Sequence, residues 1–117
     1  MTPLTAKELR EAQAAYSEAE KKCSDALMLL KKHPDTAEDF EEEEVAFITG
    51  PWDFNFWHCL DLNKDVWFWK VSAGWVSDGG VASYHVYSKT KRGGLKKLLR
   101  QQEKRLADLM EALRALT

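Results

Sequence analysis

The residues of this chain best suited to nucleophilic or metal chemistry are Cys23 and Cys59, with His33, His58 and His85. His58 and Cys59 are adjacent, a pairing that would serve a thiol nucleophile and its base. In an extended strand neighbouring side chains point to opposite faces, so these two cannot bond each other directly. Cys23 falls on an apolar helix seam, where thiols are commonly buried and inert. His33 belongs at a helix end. His58 and His85 are the pair that would have to meet across a sheet to hold a metal, and neither shows the i, i+4 or Cys-paired spacing of zinc sites. Asp61-Leu62-Asn63-Lys64-Asp65 follows the first half of a calcium-loop pattern. Val66 stands where that loop needs glycine, and Ser72 where it needs glutamate. A hairpin turn accounts for it. There is no phosphate-binding glycine loop, no supported Ser–His–Asp arrangement and no catalytic carboxylate pair. The chain is therefore read as a non-enzyme, with no metal and no cofactor expected.

Charge and aromatic content offer binding surfaces instead. The formal net charge is -2 over 117 residues, too small for a global field directed at nucleic acid or membrane. Yet the charges are segregated. Residues 34–65 hold ten acids and one base, and residues 86–105 hold eight bases and one acid. The acidic run Glu38, Asp39, Glu41, Glu42, Glu43, Glu44 is one candidate partner surface. The basic set Lys89, Lys91, Arg92, Lys96, Lys97, Arg100 is the alternative, suited to nucleic-acid phosphate. Placing Lys96 and Lys97 in the first turn of the second helix puts cations where the helix dipole disfavours them by about 0.3–1 kcal/mol each. The expected compensation is the protein's own acidic run, ahead of a nucleic acid. Five tryptophans in so short a chain are the main compositional anomaly. Trp57, Trp67, Trp69 and Trp75 form either a core, a protein-binding hot spot or a platform for stacked bases.

These residues need elements to position them. Thr5 followed by Glu8 makes a capping box, and Leu4 with Leu9 a hydrophobic staple. The helix they open meets no Gly or Pro until Pro34, which disfavours helix at His33. Its seam runs Leu9, Ala12, Tyr16, Ala19, Cys23, Ala26, Leu30. A helix over 6–33 spans about 42 Å, against a diameter of roughly 35 Å for a compact globule of this length. It must project, bend or pack on a second chain. A short helical turn from Thr36 and a strand over Val45–Thr49, stopped by Gly50-Pro51, are predicted next. Strands follow at Asp53–Asp61, from Val66 to Val71 and at Val81–Tyr87, with turns at Leu62-Asn63-Lys64 and Ser77-Asp78-Gly79-Gly80. Gly93-Gly94 precedes a second helix over roughly Leu95–Leu116, with a seam at Leu99, Gln102, Leu106, Leu109, Leu113 and Leu116.

The fold class is thus α+β: a long N-terminal helix, a three- to four-stranded antiparallel meander and a long C-terminal helix, in one domain over 1–117. Two arrangements satisfy the pattern. In one, both helices lie across a single face of the sheet. In the other, they pair as an antiparallel coiled coil with the sheet at one end, which is similar in outline to prefoldin-type chaperone subunits at the level of architecture, without a shared motif. Seam in excess of what one short sheet can cover points to a homodimer. The N-terminus has no basic segment followed by an apolar run, and no apolar run approaches the roughly 18 residues of a membrane span. A cytoplasmic protein without membrane contact is expected. The leading functional expectation is a non-catalytic interaction protein, an adaptor or an inhibitor of a macromolecular partner, including the mobile-element or phage type that inhibits a nucleic-acid enzyme through an acidic surface. A nucleic-acid-binding protein using residues 89–105 and the aromatic sheet comes second. A ligand-binding or enzyme domain with a Trp-lined pocket comes third.

Overall fold

The computed structural model describes residues 3–43, 52–77 and 80–116, with residues 75–77 and 80–83 described by backbone alone. The expected strand at Val45–Thr49, its Gly50-Pro51 stop and part of the expected turn at Ser77–Gly80 lie outside the described residues. Helix α1 spans Ala6–Lys32. Its start is the expected capping box: the Glu8 amide donates to the Thr5 hydroxyl at 3.1 Å, and the Thr5 amide to the Glu8 carboxylate at 3.4 Å. Leu4 and Leu9 both pack against the main core. The helix stops at His33, whose extended backbone is the conformation a following proline favours. The Thr36 hydroxyl then donates to the Leu30 carbonyl at 2.6 Å, and a 3-10 turn follows at Glu38–Phe40.

The sheet is a three-stranded antiparallel meander of β1 (Asp53–Asp61), β2 (Val66–Ser77) and β3 (Gly80–Ser88), in that spatial order. Strand β2 runs well past Val71, through Gly74, because it pairs residue by residue with β3 from Trp69 to Ser77. That continuous ladder outweighs the poor strand propensity of one glycine. Between β1 and β2 the Asp61 carboxylate accepts from the amides of Asn63 and Lys64, at 3.0 and 3.3 Å. Asp65 takes a φ of 50°, in the left-handed region that aspartate tolerates better than most residues.

Helix α2 spans Lys91–Arg114, so it begins at Lys91 and not near Leu95. Thr90 caps it, accepting from the Gly93 amide at 2.9 Å. The two glycines are the first turn of the helix and not its lead-in. The reason is a close approach: a β-carbon on Gly94 would overlap the side chain of Val71 on β2. Lys96 and Lys97 consequently sit beyond the first turn, and the dipole penalty falls on Lys91 and Arg92.

The helices run parallel. Arg92 meets Glu8, Gln102 meets Tyr16, and Arg105 meets Glu20, a nearly constant offset along both helices. This corrects the antiparallel coiled coil and, with it, the prefoldin-like outline. The connection from His33 to Asp53 is long enough for the chain to return to the sheet before the second helix starts. The N-terminal halves of both helices lie on one sheet face, where Ala12, Tyr16, Leu95 and Leu98 bury Val71, Ala73 and Val86. Their C-terminal halves extend past the sheet and form a second core of Cys23, Ala26, Leu27, Leu30 and Leu109, closed by Phe40 from the 3-10 turn. The molecule measures 51 × 33 × 29 Å with a radius of gyration of 16.4 Å. About 13 Å is typical of a compact chain this long. The first helix is accommodated by projection. No helix among the described residues is long and apolar enough to cross a membrane.

Candidate binding face of the sheet

Residues paired across antiparallel strands share a face, so the register assigns the described aromatic side chains of the sheet. Phe54, Phe56, His58 and Leu60 face the helices with Trp67, Trp69, Val71 and Ala73. Asn55, Trp57 and Cys59 face away with Phe68, Lys70 and Ser72, and on β3 His85 and Tyr87 join them. His58 and His85 therefore lie on opposite faces and cannot share a metal. His58 and Cys59 also face opposite ways, as strand parity predicted. Among the described residues, no group of three or more metal-ligating side chains comes together.

Neither helix covers the second face. Across it runs a row of Trp57, Lys70 and Tyr87, one residue from each strand. The Lys70 ammonium lies 5.3 Å from the Trp57 ring centre. Tyr87 makes edge contacts with Phe68 at 5.7 Å and His85 at 5.6 Å. Trp57 is 47% exposed and Tyr87 53%, an unusual expenditure of aromatic surface on solvent. The far end of the β1–β2 hairpin projects beyond the helix N-termini, so its helix-side face is open as well. There His58 stacks on Trp69 at 4.4 Å and touches Trp67 at 4.6 Å. Trp67 is 56% exposed, and Leu62 and Val66 at the turn are exposed with it. Trp69 is half-buried, with the Lys91 ammonium 4.7 Å above its ring.

The tryptophans thus divide. Trp57 and Trp67 are surface, Trp69 is intermediate, and the Trp75 side chain lies outside the described residues. Trp52, which no sequence pattern singled out, is fully buried against Tyr16 at 5.3 Å. Two shallow clefts, of about 260 and 380 Å³, are bounded by described residues, and neither includes a tryptophan.

The charged candidates are centred on different parts of the molecule and meet at one cleft. Glu38, Asp39, Glu41, Glu42 and Glu43 are all exposed, and Glu44 lies outside the described residues. Phe40 anchors this run beside Leu27 and Leu109, and Glu43 lines a cleft there with Lys104 and Arg105. The basic set runs from the start of α2 up to Arg100, which is next to Gln101 in the lining of that cleft, while Lys96 and Lys97 lie one to two turns further back along the helix. Among the described residues no ion pair joins the acidic run to Lys96 or Lys97. Arg92 instead donates to the Glu8 carboxylate at 2.7 and 2.9 Å and to the Pro3 carbonyl at 3.3 Å. Lys97 donates to the Tyr87 carbonyl at 2.6 Å. Lys91 lies over Phe56 and Trp69. Lys89, Lys96 and Arg100 point to solvent or the surface grooves.

A polar layer between the two cores escaped the sequence reading. Gln102 donates to the Tyr16 hydroxyl at 2.7 Å, and Arg105 pairs with Glu20 at 3.4 Å while reaching the Tyr84 hydroxyl at 3.4 Å. Glu20 is 2% exposed, and burial pushes its carboxyl above the ordinary range against the pull of Arg105. Cys23 lies beside Gln102, and burial raises its thiol. A raised thiol is the reverse of an activated nucleophile. The one sequence signal for this layer was Gln102 on an otherwise apolar seam. Comparison with protein-family models, curated proteins and solved structures finds no match for this chain.

Proposed function

We propose that this chain is a non-catalytic interaction protein, an adaptor or inhibitor that docks on a macromolecular partner through the aromatic end of its sheet. The observation that carries this reading is the pair Trp57 and Trp67. They stand about half exposed on opposite faces of one projecting hairpin, together with Tyr87, Leu62 and Val66. Exposed tryptophan and tyrosine on a rigid element are what protein hot spots are made of. The acidic run is a second, remote surface, suited to a partner that ordinarily grips phosphate, as an inhibitor of a nucleic-acid enzyme would require. Much of the helix seam that motivated a homodimer is covered within the chain by the parallel helix pair, with Leu99, Leu106, Leu113 and Leu116 half-buried. A protein partner is accordingly favoured over a second copy.

One observation favours the second reading, single-stranded nucleic acid. Lys70 lies between Trp57 and Tyr87 on an open sheet face, the combination of cation and stacking rings that binds unpaired bases. The test compares capture from the native host by the wild type and by Trp57→Ala/Trp67→Ala, with circular dichroism to show that both are folded. A protein retained by the first and lost by the second supports the proposal. Retention of RNA or DNA, released with a log–log salt slope of roughly -0.7 per phosphate and weakened by Lys70→Ala, transfers support to the second reading.

A further inference from the structure

The two edges of the sheet are not alike. In an antiparallel ladder, residues alternate between facing their partner with both backbone groups and turning both away. The Tyr87 carbonyl accepts from Lys97 on α2, so on β3 it is Tyr87 that turns outward. Its central-strand partner Lys70 must then turn toward Trp57. By the same alternation, the backbone amides and carbonyls of Phe54, Phe56, His58 and Leu60 point away from the sheet along the free edge of β1. The β3 edge is guarded by a lysine, one of the usual ways of blocking an unwanted strand. Among the described residues the β1 edge has no such device. It pairs without a bulge from Asp53 to Asp61 and contains neither proline nor lysine. Among the described residues, nothing bonds its outward groups.

The side chains along this edge are also incomplete. Phe54 and Phe56 are only half-buried, on the helix-facing side, and Trp57 is exposed on the other. A strand laid beside β1 would cover both rows at once. The charges say which strand. Asp53 and Asp61 stand at the two ends of β1, with no cation between them. Strand parity groups them with Trp57, about 27 Å apart at 3.4 Å per residue. One oxygen of Asp53 accepts from the Gln13 side-chain amide of α1 at 2.9 Å and one of Asp61 from the turn amides, so among the described residues the second oxygen of each carboxylate is left for a partner's cation. Lys70, the cation nearest the middle, is held over the Trp57 ring. A second copy pairing antiparallel about Trp57 would set Asp53 against Asp61 at both ends, and like charges directly opposed are destabilising.

We infer that the β1 edge is a strand-addition site for an extended nine-residue segment of a partner protein that carries Lys or Arg at both ends and β-forming residues between them. This rests on the reading of the chain as an interaction protein and names the chemistry of what it takes. Main-chain hydrogen bonds to Phe54, Phe56, His58 and Leu60 supply affinity. The terminal carboxylates supply register and selectivity, the division of labour in other strand-addition complexes.

The probe is an acetylated, amidated peptide of sequence Lys-Val-Thr-Val-Tyr-Val-Thr-Val-Lys, titrated into the full chain labelled with 15N. Slowed amide exchange at Phe54, Phe56, His58 and Leu60, with Asn55, Trp57 and Cys59 unchanged, is the expected result. The same peptide with Glu at both ends should bind about tenfold more weakly, since two cross-strand pairs turn from attraction to repulsion. Asp53→Lys in the protein should narrow that difference. The inference is overturned if neither peptide protects these amides or if both do so equally. Protection that rises with protein concentration in the absence of peptide overturns it in favour of a second copy. Protection already present in the dilute free protein means that the chain fills its own edge, and overturns it as well. The capture experiment with Trp57→Ala/Trp67→Ala is scored on a native partner and not on this peptide, so either result can fail without the other.

Discussion

At the scale of single residues, two carboxylates on α1 respond to burial and pairing in opposite senses. Glu8 is held down to about 2 from 4.5, first by its hydrogen bond with Arg92, with the Thr5 cap adding to it. A carboxylate lowered in the folded state contributes stability in full above its unfolded pKa and loses it as pH falls through the folded value. The Glu8 contribution should therefore disappear between about pH 4.5 and about pH 2. Glu20 has the other sign. Its carboxyl is raised by burial, so the folded state holds its proton more tightly and stability declines as pH climbs out of the acid range. Denaturant unfolding across pH should show Glu8→Gln flattening the acid limb and Glu20→Gln flattening the decline above it. The readout for Glu20→Gln is the shape of the profile, because that change also weakens the partner of Arg105. An acid limb in Glu8→Gln as steep as in the wild type would contradict the assignment of the Arg92 pair.

At the scale of elements, the decisive contact is the first turn of α2 against β2. Gly94 lies directly on Val71, at the centre of the main core, and its hydrogen atoms leave the only room the helix has to approach. Alanine would ordinarily favour a helix by about 1 kcal/mol over glycine. Here the added methyl must displace either Val71 or the helix, an overpacking cost of about 1–3 kcal/mol. Gly94→Ala should therefore destabilise the protein in urea unfolding. Gly94→Ala combined with Val71→Ala should recover part of the loss, because the shortened side chain makes room. If Gly94→Ala were stabilising by itself, helix propensity would outweigh the contact, and the close approach of α2 to the sheet would be incorrect.

Across the whole molecule, the two cores are arranged in series along the long axis. The first joins both helices to the sheet, and the second joins the helices to each other beyond it. Leu106 and Leu113 pack on the second core only. Replacing both with Asp would place charge against Leu27 and Leu30, where no partner offsets its desolvation. The expected outcome is loss of exchange protection over the C-terminal halves of α1 and α2, while the sheet amides near Val71 and Val86 keep theirs. Simultaneous loss in both regions would show one cooperative unit in place of two. The same layout separates the charges: the acidic run flanks the second core, and the basic residues flank the first. The protein is thus electrically polar along its length despite a net charge of -2.

Local chemistry determined a good deal by itself. The Thr5/Glu8 box, Pro34 and the uninterrupted 3–4 spacing between them specify α1 with both ends, because capping and proline sterics act within one turn of the chain. Strand β1 and the Asp61 turn follow as directly from aromatic β-formers and an Asx bond. The first seam identifies most of the buried positions of α1, since helical periodicity is a property of the sequence; the second finds Gln102 and Leu109 but misses Gly94, Leu95 and Leu98, which are buried by the sheet. The seams do not say which helix direction meets which, because a heptad reads the same for parallel and antiparallel partners. That was decided by the return of the chain after His33. Gly93-Gly94 reads as a helix breaker until Val71 is known to lie beneath it. Glu20 displaced Ala19 from the seam because Arg105 was waiting across the interface. Whether a tryptophan is core or surface was likewise beyond a strand whose two faces are both aromatic. Trp52 is buried by Tyr16, Trp57 is exposed because it lies on the face neither helix covers, and Trp67 because the helices leave the end of the hairpin uncovered. Exposure depends on what lies opposite, and only the packed chain determines that.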